Sequence, residues 1–317
     1  MPAYNRPDAL PRALETLLSQ TFDEFAVVIV DDKPSAEVRS VVDRYAALDG
    51  RLVYEPNSQR LGMIGNWRKA FERGRELYPS SDYFAWVSDH DMWHPRWLEA
   101  LVETLDRHPR GVLAYPLMQR VYERHRRSVT RRFETRGTAS PVRRLRTAQK
   151  GMAAGNCVYG LFRASALERA GVFRPVLAPD RQVIIECLAL GECLQVPEIL
   201  WYREVAGEFS YGRQRRMFFP TGIPLHTYLP TTVQHVSVLF WDLAVRGIGR
   251  PGMGRAAGAV YAGAALWFES RRELLKPDAW WREMLRKTPL KPWISTRPRA
   301  DDADDETPVA NAPGPIA

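Results

Sequence analysis

The sequence predicts an α/β protein, a mostly parallel sheet covered by helices with a helical extension at the C-terminal side. Two observations carry this. Short apolar runs alternate with stretches of helical periodicity from residue 10 to about residue 202, the pattern of strands and crossover helices. Two of those runs, residues 25–30 (FAVVIV) and 83–87 (YFAWV), lack polar alternation, as strands buried on both faces do.

Taken in order, Leu10, Leu14, Leu17 and Leu18 recur at helical spacing, with Asp8 placed to cap their helix. The strand at 25–30 ends on Asp31-Asp32. Ser35 can cap a second helix that presents Val38, Val41, Val42 and Tyr45 on one face. Residues 52–54 suit a short strand and 66–77 a helix. The strand at 83–87 ends on Ser88-Asp89-His90-Asp91. Trp97, Leu98, Leu101, Val102 and Leu105 form a helical stripe, and 112–115 a strand. Residues 119–150 are dense in arginine. Order returns with a strand at 156–162, helices at 164–170 and 180–190, and a strand at 196–202. Beyond Glu204 the pattern is helical and aromatic. The tail from Thr296, rich in Pro, Asp and Ala, is expected to be disordered. The chain thus divides into 1–115, 116–205, 206–295 and 296–317.

With 317 residues and 45% hydrophobic content, a real core can be buried, which excludes disordered and fibrous classes. The net charge of +8 suits anionic partners: nucleotides, diphosphates, acidic lipid surfaces or nucleic acid. Cys157, Cys187 and Cys193 are odd in number and form no Cys-x-x-Cys, which argues against a disulfide framework or thiolate zinc site and for free thiols in a reducing cytoplasm. The N-terminus shows no apolar signal run. Residues 252–268 are weakly apolar but short, glycine-rich and interrupted by Arg255, so a packed or interfacial helix is expected rather than a membrane span. The expected location is cytoplasmic, with peripheral attachment at the inner membrane face as an option.

Three constellations carry chemistry. In Asp89-His90-Asp91, two carboxylates one residue apart on a strand-end turn can share a hard cation, Mn²⁺ or Mg²⁺, and leave positions for phosphate oxygens. The bland alternative is a solvated acidic turn. In Pro2-Ala3-Tyr4-Asn5 with Asp31-Asp32, an aromatic ring can stack on a base and a carboxylate can accept from a ring N–H, against ordinary helix capping. Asp180 can face a cleft as a general base, against a simple N-cap. Gly247-Ile248-Gly249-Arg250-Pro251-Gly252 matches a dinucleotide fingerprint, but it follows no clear strand and places proline where a helix should begin, so it is set aside. His226 and His235 lack metal spacing and read as structural, with His226 a remote phosphate contact.

The joint order of Pro2-Ala3-Tyr4-Asn5-Arg6, Leu18-Ser19-Gln20-Thr21-Phe22, Val30-Asp31-Asp32, and Asp89-His90-Asp91 with Trp93 and Pro95 resembles family 2 glycosyltransferases. Gly155-Asn156, Gly160, Phe162-Arg163, Gly171-Val172-Phe173, Pro179-Asp180, Gly191, Pro197, Leu200 and Tyr202-Arg203 extend the resemblance over the first two-thirds of the chain. It implies a GT-A fold, with 1–115 as the nucleotide-sugar half and 116–205 as the acceptor and catalytic half. The implied activity is inverting, metal-dependent transfer of a sugar from a nucleotide-diphosphate donor, UDP- or dTDP-linked, to a hydroxyl of a glycan, glycolipid or small molecule. By position, Pro2 and Tyr4 would contact the base. Asp32 would bond the base edge with Asp31 supporting it, and Arg60 would touch the nucleotide. Asp89 would meet ribose or metal, Asp91 the metal, and Asp180 would deprotonate the acceptor.

Three departures from the family pattern shape the expectations. Relatives carry apolar residues ahead of Pro-x-Tyr-Asn, whereas Met1 stands where that first strand should be ending, so either the start lies upstream or the strand is missing. His90 separates carboxylates that many relatives hold adjacent, so His90 could itself touch metal. The Gln-x-x-Arg-Trp signature of processive synthases is not completed by Gln214-Arg215-Arg216-Met217, which favours transfer of a single sugar. Two rival classes remain. A sugar-phosphate nucleotidyltransferase would need a Gly- and Lys-rich phosphate loop near the N-terminus, which is not seen. A non-catalytic binder would use the arginine-rich segment on an anionic surface, and no nucleic-acid stacking pattern interleaves it.

Overall fold

The computed structural model describes residues 1–121, 126–129, 133–152, 154–204 and 211–275, with side chains placed up to Trp267 except at 126–129 and 154. Part of the arginine-rich segment, the tryptophans at 280, 281 and 293, and the tail from Thr296 lie outside the described residues. The chain forms two units, Met1–Trp267 and Phe268–Ala317. All that follows concerns the first.

The first half builds a parallel sheet from β1 (Pro2–Ala3), β2 (Val27–Asp31) and β3 (Leu52–Pro56), in the order β1-β2-β3. β1 is only two residues long, yet it is in register with β2, with Pro2 opposite Val30 and Ala3 opposite Asp31. α1 (Leu10–Leu18) and α2 (Ala36–Ala46) connect these strands, and α3 (Gly62–Leu77) follows β3. α1 buries Leu10, Ala13, Leu14 and Leu17, where each buried leucine contributes roughly 1.5–3 kcal/mol relative to exposure. Its N-cap position is Ala9 without a side-chain bond, not Asp8; the Leu10 amide is satisfied by the Arg6 carbonyl instead. Ser35 does cap α2, accepting from Val38 N at 3.2 Å.

The second sheet runs β4-β8-β6-β9-β5 with a short β7 on β6. Its strands are β4 (Tyr83–Ala85), β5 (Met92–Trp93), β6 (Gly111–Val121), β7 (Arg126–Val129), β8 (Leu161–Arg163) and β9 (Glu192–Glu204). β6 and β9 are parallel, while β4–β8, β6–β8, β6–β7 and β5–β9 are antiparallel. The two halves therefore differ: the first is wholly parallel and the second is mixed. Between β5 and β6 lies α4 (Trp97–Asp106). α5 (Pro141–Gly151) and α6 (Ala154–Cys157) precede β8, so the strand expected at 156–162 begins as a helical turn and is extended only from Leu161. The reason is local: Tyr159 and Gly160 close turns on Asn156 and Cys157, and a side chain at Gly160 would run into the Ala114 carbonyl of β6.

α7 (Ala164–Ala170) and α8 (Pro179–Leu190) cover this sheet. α9 (Tyr211–Phe218), α10 (Thr231–Phe240) and α11 (Arg255–Leu275) follow β9. Trp86 is fully buried among Trp67, Phe84, Phe162 and Phe173 and spends its indole N–H on the Trp67 carbonyl at 3.0 Å, which is how a buried tryptophan avoids an orphaned donor. A buried ionic knot of Glu186, Asp242 and Arg174 ties α8 to the segment after α10.

Candidate active site

The acidic ends of β2 and of the segment after β4 meet at Tyr4. Its backbone N–H donates to Asp89 Oδ2 at 2.9 Å across 85 residues of sequence, and the Asp32 N–H bonds the Ala3 carbonyl. Tyr4 itself stands 41% exposed, with the Arg60 guanidinium 4.8 Å above its ring. Two residues expected to hold a nucleotide are thus side by side and exposed, while Pro2 is buried in β1.

Asp31 and Asp32 are both buried. Asp31 accepts from Lys33 N and from the Tyr54 hydroxyl. Desolvation lifts its carboxyl above the ordinary range, with Asp89 and Asp32 adding repulsion. Asp32 accepts from Leu61 N, Gly62 N and Asn57 Nδ2 at 2.6, 2.8 and 3.0 Å. It therefore caps the start of α3, where Gly62 has φ +74° and a side chain would meet the Phe218 carbonyl. Asn57 bonds Asn66, which bonds the Ala3 and Val30 carbonyls. This amide network under the nucleotide end carries no signature in sequence.

In the Asp-His-Asp turn, Ser88 Oγ accepts from Asp91 N at 3.0 Å. The His90 ring lies between the carboxylates, with Nδ1 2.7 Å from Asp89 Oδ1 and Nε2 3.9 Å from Asp91 Oδ1. Asp91 is 1% exposed, and each of its carboxylate oxygens accepts a hydrogen bond from the protein. Its Oδ2 accepts from the Trp201 indole at 3.0 Å and its Oδ1 from Glu204 N at 2.9 Å, fastening the turn to the end of β9. Burial raises its carboxyl pKa, with His90, Glu204 N, Ser88 and Arg203 pulling it back.

Among the described residues, no three His, Cys, Asp or Glu side chains converge on a point that could hold a metal ion. The more exposed donor of the turn is the His90 imidazole; Asp89 beside it is buried and already bonded to Tyr4 N and His90 Nδ1. That donor set fits a cation carried in by phosphate oxygens, as Mg²⁺ is commonly held by one or two carboxylates plus substrate. It does not fit a closed resident site.

Asp180 enters from α8. It is not the N-cap; that position is Ala178, held in the left-handed region at φ 48°, ψ 56°. Such a conformation costs a non-glycine residue about 1–3 kcal/mol and clusters at functional sites. Here it turns Pro179-Asp180 toward Gly155. A Cβ built on Gly155 would lie 3.8 Å from Asp180 Oδ2 and 3.6 Å from Arg203 Nη1, so the two charged groups face one small space. Desolvation raises the Asp180 carboxyl above its ordinary value, opposed by its backbone bonds and by Arg203 and Arg181.

Tyr159 joins the parts. Its ring packs 4.8 Å from Trp201 and 5.8 Å from the Arg203 guanidinium; burial raises its hydroxyl pKa, Asp91, Asp89 and Asp180 add to the rise, and Arg203 opposes it. Of the remaining expectations, His226 instead meets the Pro175 carbonyl at 2.6 Å on an exposed turn, and His235 is buried against the Leu177 carbonyl. A cavity of about 690 Å³ lies elsewhere, lined by Phe25, Val27, Tyr78, Tyr83 and Phe84, with no Asp89, Asp91 or Asp180 in its wall.

A wholly parallel first sheet followed by a mixed second sheet, with helices packed on both, is the GT-A architecture. Comparison with solved structures agrees: S. aureus TarS superposes with a TM-score of 0.52 at 14% identity over 83% of this chain and 52% of TarS. The TarS 1–349 fragment in complex with UDP gives 0.52 and 14% over 87% of this chain and 91% of the fragment. The model of the family "Glycosyl transferase family 2" matches residues 1–171, and the chain belongs to that family. Relatives include Protein CgeD of Bacillus subtilis, 26% identical over 133 residues, 39% of this chain and 29% of CgeD. The amylovoran biosynthesis glycosyltransferase AmsB of Erwinia amylovora is 30% identical over 112 residues, 34% of this chain and 35% of AmsB. The glucosyl-dolichyl phosphate glucuronosyltransferase of Haloferax volcanii is 28% identical over 110 residues, 35% of this chain and 33% of that enzyme. The chain spans about a third of the length of these curated relatives.

Proposed function

We propose that this protein transfers a single sugar from a nucleotide-diphosphate donor to an acceptor hydroxyl, with inversion at the anomeric carbon. The observation that carries the reading is geometric: Asp89 is bonded to Tyr4 N, Asp91 fastens the same turn to Trp201 of β9, and Asp180 shares the space at Gly155 with Arg203 of that strand, with the exposed Tyr4 ring beside the turn. A carboxylate on the acceptor side that takes the hydroxyl proton, opposite a leaving diphosphate, suffices for one in-line displacement.

Asp180 is the proposed base. Tyr4 and Arg60 supply a stacking surface for the base of the nucleotide, with Pro2, Asp31 and Asp32 fixing the backbone beneath it. A pyrimidine nucleotide, UDP or dTDP, is the proposed donor class, and the UDP complex of TarS is in keeping with it. Asp89 with His90 would hold Mn²⁺ or Mg²⁺, which when bound neutralises charge on the departing diphosphate. Asp91 holds the turn against β9. The acceptor is proposed to be a glycan, glycolipid or small molecule, with cell envelope polysaccharide synthesis as the proposed setting; the relative AmsB is named for amylovoran biosynthesis.

A peripheral, cytoplasmic-face location is proposed on one feature. α5 exposes Arg143, Arg146 and Lys150 on one side, and such a row attracts anionic lipid. Among the described residues no helix is long and apolar enough to cross a membrane.

The test is Asp180→Asn. It should keep nucleotide-diphosphate binding, read by thermal shift with UDP and Mn²⁺, and lose transfer from a UDP-sugar. Retained transfer would exclude Asp180 as the base. Release of pyrophosphate from a nucleoside triphosphate and a sugar phosphate would instead favour the nucleotidyltransferase class.

A further inference from the structure

Arg203 is a half-buried cation set among carboxylates and paired with none of them. It sits near the end of β9, and among the described residues no ion pair joins it to Asp or Glu. Its Nη1 donates to the Gly155 carbonyl at 3.3 Å. The guanidinium is held against two rings, 5.8 Å from the Tyr159 centroid and 5.4 Å from that of Trp201. Trp201 is in turn locked by Asp91 through its indole N–H. A guanidinium presents five N–H donors in a fixed fork, so one carbonyl bond leaves most of that fork unspent. The absence of a side chain at Gly155 keeps the space beside Nη1 open, with Asp180 Oδ2 at its far side.

We propose that Arg203 is the anion clamp of the cleft, binding the diphosphate of the donor between the Asp-His-Asp turn and Asp180. This rests on the glycosyltransferase reading and deepens it. The physical need is plain: a diphosphate entering a space bounded by Asp89, Asp91 and Asp180 meets repulsion from every side unless a fixed cation faces it. Arg203 lies against Trp201, which Asp91 holds, and faces Asp180 across the space at Gly155, so it stands between the leaving-group side and the acceptor side. Guanidinium binds phosphate oxygens bidentately, and stacking on Tyr159 and Trp201 holds the fork flat before the ligand arrives. In this arrangement Asp91 serves the diphosphate indirectly, as a positioning residue for the Trp201 shelf on which Arg203 lies.

The experiment compares wild type, Arg203→Lys, Arg203→Met and Gly155→Val in binding UDP and uridine, read by ligand-observed NMR titration, which follows weak as well as tight binding. Unliganded melting temperatures serve as the check on folding. Arg203→Met should weaken UDP by tenfold or more and leave uridine unchanged. Arg203→Lys should recover part of the loss, because it keeps the charge without the planar fork. Gly155→Val leaves the guanidinium in place but fills the space in front of it, and should show the same selective loss of UDP. Equal loss of UDP and uridine in these variants, or unchanged UDP binding in Arg203→Met, would overturn the clamp. Failure of wild type to bind UDP, and equally dTDP, would overturn the donor reading itself, a result distinct from a wild type that binds and an Arg203 variant that binds as well.

Discussion

Asp91 and Trp201, 110 residues apart, are joined by an indole N–H donating to a carboxylate oxygen at 3.0 Å inside the protein. The other oxygen of Asp91 accepts the Glu204 amide. The turn that carries the acidic motif and the strand that carries Arg203 are thus one piece, and the motif's second carboxylate is part of its scaffold.

Asp91→Ala should therefore cost stability as well as activity. It leaves two buried donors without acceptors, each at about 1–3 kcal/mol. Urea denaturation of the variant should show a midpoint well below that of wild type. An unchanged midpoint together with lost Mn²⁺ dependence would instead make Asp91 a metal ligand with little structural part.

Asp180 should be held at a cost to the fold. Burial raises its native pKa above the ordinary 3.8, so the native state favours the protonated form more than the unfolded chain does. The stability tied to this group is full below pH 3.8 and is lost as pH rises through the raised native value. At pH 7 the buried charge is a burden that Asp180→Asn removes. Thermal denaturation should find the variant more stable than wild type at pH 7 and closer to it at pH 3.5. The acid limb of transfer should lie above pH 3.8 for the same reason.

Chelation should separate the two halves of the site. With EDTA, transfer should fall at least tenfold and return with Mn²⁺, while uridine binding at Tyr4 and Arg60 stays unchanged in an NMR titration. Because the protein offers only His90 and the already bonded Asp89 in the turn, Mn²⁺ affinity without UDP should be weak and should rise when UDP is added. Tight Mn²⁺ binding by the free protein would contradict a substrate-carried cation.

Much of this site could be read from the chain because it lies where strands end. The runs at 25–30 and 83–87 are apolar without alternation, so their acidic ends could be placed at strand ends; the two strands lie in different sheets, and Tyr4 N bonding Asp89 brings those ends together. Asp180 was legible through Pro179 and the helix behind it. The shelf was not: Tyr159, Trp201 and Arg203 act together only because β9 runs beside β6 and pairs with β5, and no local period announces a contact over such separations. The mixed second sheet was missed for the same reason, since pairing direction is set by partners rather than by a strand's own residues. α6 was missed because the strand expected over 156–162 begins with turns in which Tyr159 N and Gly160 N bond the Asn156 and Cys157 carbonyls, with Gly160 against the Ala114 carbonyl.

The helical extension reaches the site through Leu177, three residues before Asp180, and this gives the last prediction. Gln234 Oε1 accepts the Leu177 N–H at 3.0 Å, and His235 Nε2 lies 2.7 Å from the Leu177 carbonyl, so two neighbouring residues of α10 grip both backbone polar groups of one residue. His235 is buried, and desolvation lowers its pKa to about 4, with the Leu177 carbonyl opposing and Arg181 adding to the shift. The native state therefore keeps this imidazole neutral where the unfolded chain would protonate it. For a histidine with a depressed native value, the contribution is whole above pH 6.5 and is lost as pH falls from 6.5 toward 4, to a total of about 3 kcal/mol. His235→Gln keeps an N–H for the carbonyl and removes the titration. Wild type should lose stability between pH 7 and pH 4.5 faster than this variant does, in paired urea titrations. Parallel losses would mean that His235 is protonated in the native state without penalty, and that the grip on Leu177 is insensitive to charge.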